Sequence, residues 1–265
     1  MSIRSIWLVR GELPPPLYWS IATAGLLLPV AAWWWLAASG HVDPAFLPTP
    51  PQVLKRTWTW WHDEQQLFND AWISIFRVSM GFLLSAVMAL PLALLIGVYK
   101  PVQAFFEPLT DFVRYMPAVA FIPLTMLWVG IGEGSKVGII WIGTFFQMLL
   151  MMAEDVRRVP MAQIEAAQTL GASREEIISN VIFPSARPAL LDTLRVTMGW
   201  AWTYLVVAEL VAANEGLGYA ILRAQRFLQT DKIFAGILLI GLIGLATDQA
   251  FRLLHRWAFP WLQRT

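Results

Sequence analysis

Residues 164–184 read IEAAQTLGASREEIISNVIFP, and this stretch is polar in a chain that is otherwise strongly apolar. Only 14% of the 265 residues are charged and 57% are hydrophobic, with a mean hydropathy of +0.57. A soluble globular protein carries about 25% charged residues. Residues 155–187, which are this stretch with its flanks, are called the polar segment below. Its composition indicates a surface that lies outside the apolar part of the protein.

The chain on both sides of the polar segment contains long runs without a charged residue. A helix that crosses a bilayer needs about 20 mostly apolar residues, and a soluble helical core does not hide this many such runs. The sequence therefore predicts an all-α integral membrane protein with about six transmembrane helices. The predicted spans are residues 17–39, 71–98, 107–130, 137–153, 188–212 and 233–254.

The spans divide the chain into two parts and suggest its orientation. Residues 1–70 hold the first span and an outer amphipathic segment, and residues 71–260 form the core transmembrane domain. Lys and Arg are enriched in cytoplasmic loops. A cytoplasmic N-terminus places twelve of the 19 Lys and Arg on the inner side, Arg4, Arg10 and Arg264 among them. We therefore expect both termini and the polar segment on the cytoplasmic side.

Composition and missing motifs exclude several classes of function. A net charge of +1 gives no sign of a nucleic-acid partner. Because the predicted spans are apolar, membrane lipid is expected to surround them. The lack of cysteine excludes disulfides and cysteine-ligated metals. No GxxxxGK[ST] loop occurs, so the chain does not hydrolyse ATP by that route. Neither HExxH nor a readable Ser/His/Asp set occurs, and we expect no catalytic residue and no metal site.

The first half of the polar segment predicts a short helix. Pro160 suits the first helical position, where a missing N–H costs nothing. Ile164, Ala167 and Leu170 are spaced to share one face of the helix. Gly171 is a natural stop, because glycine accepts the left-handed conformation that closes a helix.

The second half of the polar segment predicts another short helix. Ser173 and Glu176 are spaced as a capping box, in which the hydroxyl accepts from one backbone amide and the carboxylate from another. We expect this helix to end before Pro184, because the residue before a proline disfavours helical geometry. Its buried side chains are expected to be Ile177, Ile178 and Val181.

Two interpretations of these helices stay open on the residues alone. The segment could be a solvated loop that happens to be helical. Ala166 and Ala167 favour the other interpretation, because small side chains leave a shallow surface on which another protein can dock.

The spacing of the segment resembles the cytoplasmic signature of ABC-importer permeases. That signature is EAA, three residues, Gly, nine residues, two apolar positions one residue apart, and Pro. The matching residues here are Glu165, Ala166, Ala167, Gly171, Val181, Phe183 and Pro184. Val181 and Phe183 replace the usual Ile and Leu. FLPTPPQVL, IPLTMLWVGIGEGSKV and VAELVAANEGLGYAIL resemble the nitrate/sulfonate/taurine/bicarbonate branch of that family, over residues 40–260.

The resemblance implies the type I importer fold and several partner chains. The polar segment would dock on a separate ATPase subunit; two such subunits would hold ATP and Mg²⁺, and this chain would bind no cofactor. A second copy of the permease would complete a homodimer in the bacterial inner membrane. An external binding protein would deliver a small anion such as nitrate, bicarbonate or a taurine-like sulfonate. The coupling residues implied are Glu165, Ala166, Ala167, Leu170, Gly171, Ser173 and Pro184.

Side chains in the predicted spans are candidates for a translocation pathway. An anion requires N–H and O–H donors. The candidate residues are Trp128, Thr144, Gln147, Trp200, Trp202, Thr203, Tyr204 and, near the outer gate, Glu209. Each could instead pack between helices or face lipid, and Glu209 could pair with Arg77 or Arg223. Pro117 and Pro123 are expected to break the third span and widen a cavity there.

Two functions from other classes compete with this one. An ion-coupled secondary transporter would need a buried carboxylate relay and, usually, an internal repeat, and neither is visible. A membrane-bound enzyme would need a catalytic cluster at one interface. Asp248 and His255 come nearest to one, because their spacing of seven places them on one helical face.

Overall fold

The computed structural model describes residues 13–263, and every regular element within that range is helical. Three of the cations expected on the cytoplasmic side, Arg4, Arg10 and Arg264, lie outside the described residues, as do residues 1–12 of the predicted N-terminal unit. The helices are α1 Pro15–Ala38, α2 Pro50–His62, α3 Leu67–Val98, α4 Lys100–Val113, α5 Ile122–Val129, α6 Glu133–Arg157, α7 Met161–Thr169, α8 Arg174–Ile177, α9 Phe183–Ala212, α10 Leu217–Arg226 and α11 Thr230–Ala258. The shorter turns are 3₁₀ at Ala118–Phe121 and Pro260–Gln263 and π-helical at Ile178–Ile182.

Six long helical segments correspond to the six predicted spans. By length and composition, α1, α3, α6 and α11 can each cross a membrane, and α4 with α5 forms a fifth, bent unit. The sixth segment is α9, which has 30 residues and carries Arg187, Asp192 and Arg195 in its first half. The prediction of an all-helical membrane protein is confirmed.

The third predicted span is bent rather than continuous. The helix α4 ends at Val113, and the 3₁₀ turn with α5 runs at 89° to it. Pro117 directly precedes that turn in extended geometry, which agrees with the prediction that a proline breaks this span. Pro123 breaks nothing, because it lies in the first turn of α5, where a missing N–H is tolerated.

The second helix of the polar segment does not end before Pro184, and that prediction was wrong. The helix α8, the π-helical turn and α9 follow one another without a break. In the widened turn Phe183 N donates to Ile178 O, five residues back. This widening leaves room for Pro184 in the first turn of α9. The polar segment is therefore joined directly to the fifth predicted span.

The centre of the bundle is formed by α3, α6 and α9. Two glycines of α3 allow α6 to approach closely. A Cβ at Gly81 would lie 2.7 Å from Ile140, and one at Gly97 would lie 2.5 Å from Val156. Buried residues of α6 fill the interior, and α1 by contrast is exposed along most of its length. The three central helices and the bend between α4 and α5 hold the candidate site.

Candidate functional site

The first helix of the polar segment, α7, lies on the surface of the bundle. Pro160 is its N-cap rather than its first helical residue. Ile164 and Ala167 are half-buried against the bundle core. Glu165 and Ala166 lie on the opposite side and are exposed. The helix therefore presents a carboxylate beside a small side chain.

Gly171 closes α7 in the conformation expected of it. Its φ is +83°, a region that glycine adopts without steric cost, and Ala172 N donates to Ala167 O at 3.0 Å across the turn. Leu170 is the C-cap of α7 and is 88% exposed. The prediction that Leu170 shares a face with Ile164 and Ala167 was wrong, because the chain turns away at this point.

The capping box between Ser173 and Glu176 is present and begins α8. Ser173 N donates to Glu176 Oε2 at 2.8 Å, and Glu176 N donates to Ser173 Oγ at 3.3 Å. The bonds from the backbone and the hydroxyl of Ser173 lower the pKa of the Glu176 carboxyl. Of the three side chains predicted to be buried, Ile177 is, whereas Ile178 and Val181 are half-buried.

Further contacts fix the polar segment to the bundle. Ile182 is buried in the same core as Ile177, and Ser185 Oγ at the start of α9 donates to Gln163 Oε1 of α7 at 2.9 Å. The outward surface is therefore held in place from beneath. Its chemistry suits docking by another protein, since it combines a carboxylate, small side chains and one large exposed leucine.

A cavity of about 280 Å³ lies where the bend between α4 and α5 meets α6 and α9; we call it the central cavity. Four predicted pathway residues line it: Gln147, Trp200, Thr203 and Tyr204. The Tyr204 ring lies directly on α6, since a Cβ at Gly143 would be 2.5 Å from it. Arg114 is the one cation among the described residues that line this cavity.

Arg114 is a lining residue that was not among the predicted pathway residues. The available signal was its position, three residues before the proline that breaks the third span. Arg114 and Gln147 also line a second cavity, of about 270 Å³; we call it the end cavity.

The other predicted pathway residues lie away from the central cavity. Trp128 is 68% exposed on α5. Thr144 is buried between α6 and α3, where its hydroxyl is 2.7 Å from that of Ser85. Trp202 Nε1 donates to Thr247 Oγ1 at 3.3 Å and joins α9 to α11. These positions fit helix packing for the two buried residues and an exposed outer surface for Trp128.

Glu209 pairs with Arg77 in a buried cluster. Arg77 Nη1 donates to Glu209 Oε1 at 2.7 Å, and its Nε and Nη2 donate to Glu133 at 2.6 and 2.8 Å. Ser74 Oγ donates to Glu209 Oε1 at 2.8 Å, and Gly218 N donates to Oε2 at 2.7 Å. We call these five residues the Arg77 network. Glu209 has no exposed surface and is not among the residues that line the central cavity.

The start of α10 is held by the same network. Gly216 has a φ of +114°, and a Cβ there would overlap the Glu209 carboxylate. Gly216 N donates to Asp70 Oδ1 at 3.0 Å, and Leu217 N donates to Ser74 Oγ at 2.9 Å. The first amides of a helix have no partner within it. Here side chains of α3 and α9 supply the acceptors.

Asp248 and His255, the nearest approach to a catalytic pair, contact different partners. Asp248 accepts from Arg195 Nε at 2.7 Å and from Arg252 Nε at 2.8 Å. His255 Nε2 lies 3.7 Å from a carboxylate oxygen of Asp192. These contacts join α9 to α11 and account for both residues as structural groups.

These features define a class of protein, a multi-pass helical membrane protein with an exposed polar segment packed on the bundle and a donor-lined cavity within it. A family model described as binding-protein-dependent transport system inner membrane component matches residues 70–259. The chain belongs to this family, the membrane subunits of ABC importers.

Relatives with named cargo and a solved structure agree with this assignment. The taurine transport system permease protein TauC of Escherichia coli (strain K12) is 36% identical over 248 residues, 91% of this chain and 89% of TauC. The bicarbonate transport system permease protein CmpB of Synechococcus elongatus is 27% identical over 195 residues, 73% of this chain and 70% of CmpB. The inward-facing MetNI methionine ABC transporter matches with a TM-score of 0.62 and 21% identity, over 71% of this chain and 96% of that one.

The family and the fold together establish the class of transporter to which the chain belongs. The chain has the type I ABC importer permease fold and is a multi-pass protein of the inner membrane. A permease of this family is not itself an enzyme. The importer assignment prevails over the ion-coupled secondary transporter, because the relatives are ABC permeases.

Proposed function

We propose that this chain forms the translocation pathway for a small oxyanion of the sulfonate or bicarbonate class. TauC and CmpB are named for taurine, which is a sulfonate, and for bicarbonate. The central cavity supports an anion, because it offers Arg114, Gln147, Thr203 and Tyr204 and has no carboxylate among its described lining residues. Guanidinium, amide and hydroxyl groups donate the hydrogen bonds that an oxyanion accepts.

The assembly consists of two copies of this permease and two ATPase subunits, which hold ATP and Mg²⁺. An external binding protein delivers the cargo at the face opposite the polar segment. Both termini lie in the cytoplasm, residues 1–70 form a peripheral unit, and residues 71–260 form the core. The observation that carries this proposal is the polar segment, which is exposed on its outer side and anchored on its inner side.

The predicted coupling residues divide into two roles. Glu165, Ala166 and Leu170 are exposed and contact the ATPase subunit. The others shape that surface: Ala167 packs beneath it, Gly171 makes the turn, Ser173 caps α8 and Pro184 begins α9. A rigid surface of this kind transmits a push from the ATPase into α9, because no break separates α8 from α9.

Charge reversal at the docking surface tests the coupling role. Glu165→Arg is expected to abolish co-purification of the ATPase subunits and ATP-driven uptake into proteoliposomes. Asp63→Arg is the control for charge reversal itself, since Asp63 is an exposed carboxylate directly after α2 and far from the polar segment in sequence, and it should still co-purify with the ATPase subunits. Retention of both activities by Glu165→Arg would show that the polar segment does not couple the chain to an ATPase.

The orientation has a direct test, because the chain contains no cysteine. Single cysteines at His41 and Ser179 are exposed, one after α1 and one in the polar segment. A membrane-impermeant maleimide added to intact cells should label His41→Cys, and Ser179→Cys only after the membrane is opened. The reverse pattern would place the termini and the polar segment outside.

A further inference from the structure

Arg114 occupies the point where the broken third span changes direction. It is the C-cap of α4, directly after Val113, and the helices on either side of the break lie at 89°. The side chain is 29% exposed. The backbone of Arg114 is therefore placed at the bend, and its side chain is partly accessible there.

The central cavity and the end cavity follow one another along α6. The central cavity is lined by α6 residues from Ile142 to Gln147, and the end cavity by α6 residues from Gln147 to Arg158, the C-cap of the helix. With a rise of 1.5 Å per residue, the two together extend over about 24 Å of the helix. Arg114 and Gln147 are the residues that both cavities share. These two residues lie between the cavities, and we call the pair the neck.

The guanidinium of Arg114 is only partly engaged. Its Nη2 lies 3.1 Å from Asp111 Oδ1 and donates to Tyr115 Oη at 3.1 Å. The Cζ atom lies 4.8 Å from the centre of the Tyr115 ring. Within residues 13–263 both polar contacts use the same nitrogen, which leaves Nε and Nη1 as donors. A guanidinium has five N–H groups in a planar fork that matches an oxyanion.

The carboxylates near the neck are already engaged. Glu154 accepts from Arg157 Nε at 3.0 Å and lies 3.5 Å from Arg158 Nε. Asp155 accepts a hydrogen bond from Thr193 Oγ1. The end cavity therefore adds no unpartnered carboxylate that would compete with an anion for Arg114.

We propose that Arg114, with Gln147, is the anion-selective neck of the pathway and binds the oxyanion group of the cargo as it passes from the central cavity to the end cavity. This inference rests on the proposed function. Asp111 sets the strength of the site, because its carboxylate neutralises part of the charge. Transport requires binding strong enough for entry and weak enough for exit, and a half-compensated arginine meets both demands.

The test is ATP-driven uptake of taurine and of bicarbonate by the full complex in proteoliposomes. Arg114→Gln should lower the uptake rate by about tenfold or more, as expected for losing a hydrogen bond to a charged group, while ATP hydrolysis by the complex persists. Arg114→Lys should keep part of the rate, because it retains the charge without the fork. Arg226→Gln, the same change at the exposed end of α10, should behave as wild type.

Asp111→Asn gives a result of opposite sign that a merely structural role would not produce. Removing the compensating carboxylate should strengthen anion binding at the neck, so that taurine loaded inside the vesicles inhibits uptake at lower concentration. If Arg114→Gln fails to assemble, Asp111→Asn and Arg114→Lys still test the proposed role of Arg114. Unchanged uptake in Arg114→Gln, or unchanged inhibition in Asp111→Asn, would overturn the neck. If the wild-type complex transports neither anion, the proposed function is contradicted, and so is the role of the neck, which rests on it.

Discussion

The Arg77 network and the polar segment hold opposite ends of α9 by different means. At the Glu209 end, an arginine without exposed surface donates to two carboxylates and to a backbone carbonyl. The amides of Gly216, which precedes α10, and of the first two residues of α10 donate to side-chain acceptors. At the Pro184 end, the polar groups face outward and apolar residues such as Ile177 and Ile182 provide the attachment.

The difference follows from the solvation of charges. A buried ion pair is tolerated only where hydrogen bonds satisfy each partner, and it then specifies one arrangement of the helices around it. An exposed charge has water as an alternative partner and contributes little to stability. The Arg77 network therefore fixes how α3, α6, α9 and α10 meet. The polar segment keeps its polar groups available for a partner chain.

The largest expected effect comes from breaking the buried end. Arg77→Met leaves Glu209 buried without its cation and should lower the free energy of unfolding by about 3–5 kcal/mol. The measurement is denaturation of the purified permease in detergent. Arg226→Met removes an exposed arginine and should change stability by less than about 0.5 kcal/mol. A similarly small effect for Arg77→Met would show that the network does not hold the helices together.

Replacing one glycine at each end compares the two regions directly. Gly216→Ala combines a left-handed φ with a Cβ that overlaps a carboxylate pinned by Arg77 and Ser74. We expect it to lower stability by about 3 kcal/mol, near the upper limit for a strained backbone position. Gly171→Ala has the same kind of φ but nothing within 4 Å of the new Cβ, so only about 1 kcal/mol is expected.

Thermal unfolding of the two alanine variants in detergent should show a larger loss of stability for Gly216→Ala than for Gly171→Ala. Gly171→Asn sharpens the comparison, because asparagine tolerates a positive φ better than alanine does, and it should recover part of the loss. If both alanine variants lose the same stability, backbone strain alone would explain them, and the overlap with Glu209 would be irrelevant.

The polar segment could be predicted from the sequence in more detail than the Arg77 network. Runs without charge predicted the spans, and the capping box was predicted because Ser173 and Glu176 are three residues apart. The Arg77 network was only an open alternative, since Arg77 and Glu209 are 132 residues apart and only the packing of α3 on α9 brings them together. Short-range spacing identifies local contacts, whereas tertiary pairs depend on the arrangement of helices.

Two of the errors of prediction fall at Pro184 and at the bend between α4 and α5. A proline was taken to end the second helix of the polar segment, but the π-helical turn before Pro184 lets the helix continue. The turn lies between Ile177 and Ile182, which are both buried in the core, and that burial is a tertiary feature that the spacing used here does not show. Arg114 was overlooked for a related reason: only the 89° bend places it between two cavities.

A smaller effect is expected when the cap of α8 is removed. Ser173→Ala deletes the hydroxyl that accepts from Glu176 N, and loss of such a cap costs about 1 kcal/mol. Because α8 is attached through Ile177, the loss should appear locally, as faster amide hydrogen exchange at residues 174–177. Ser179→Ala is the control, since the Ser179 hydroxyl donates only to Glu175 O within its own helix. Equal exchange in both variants would argue against the capping box.

The smallest effect concerns the pH dependence of the same cap. Hydrogen bonds from Ser173 lower the pKa of the Glu176 carboxyl below its ordinary value of 4.5. A carboxyl with a lowered pKa in the folded state stabilises that state fully above its ordinary pKa, and the contribution is lost as the pH falls through the lowered value. Protection of the Ser173 amide, corrected for intrinsic exchange, should therefore persist at neutral pH and decline below about 4.5. In Glu176→Gln the amide oxygen still accepts but does not titrate, so protection should not change with pH; a decline as steep as in wild type would assign the effect to another group.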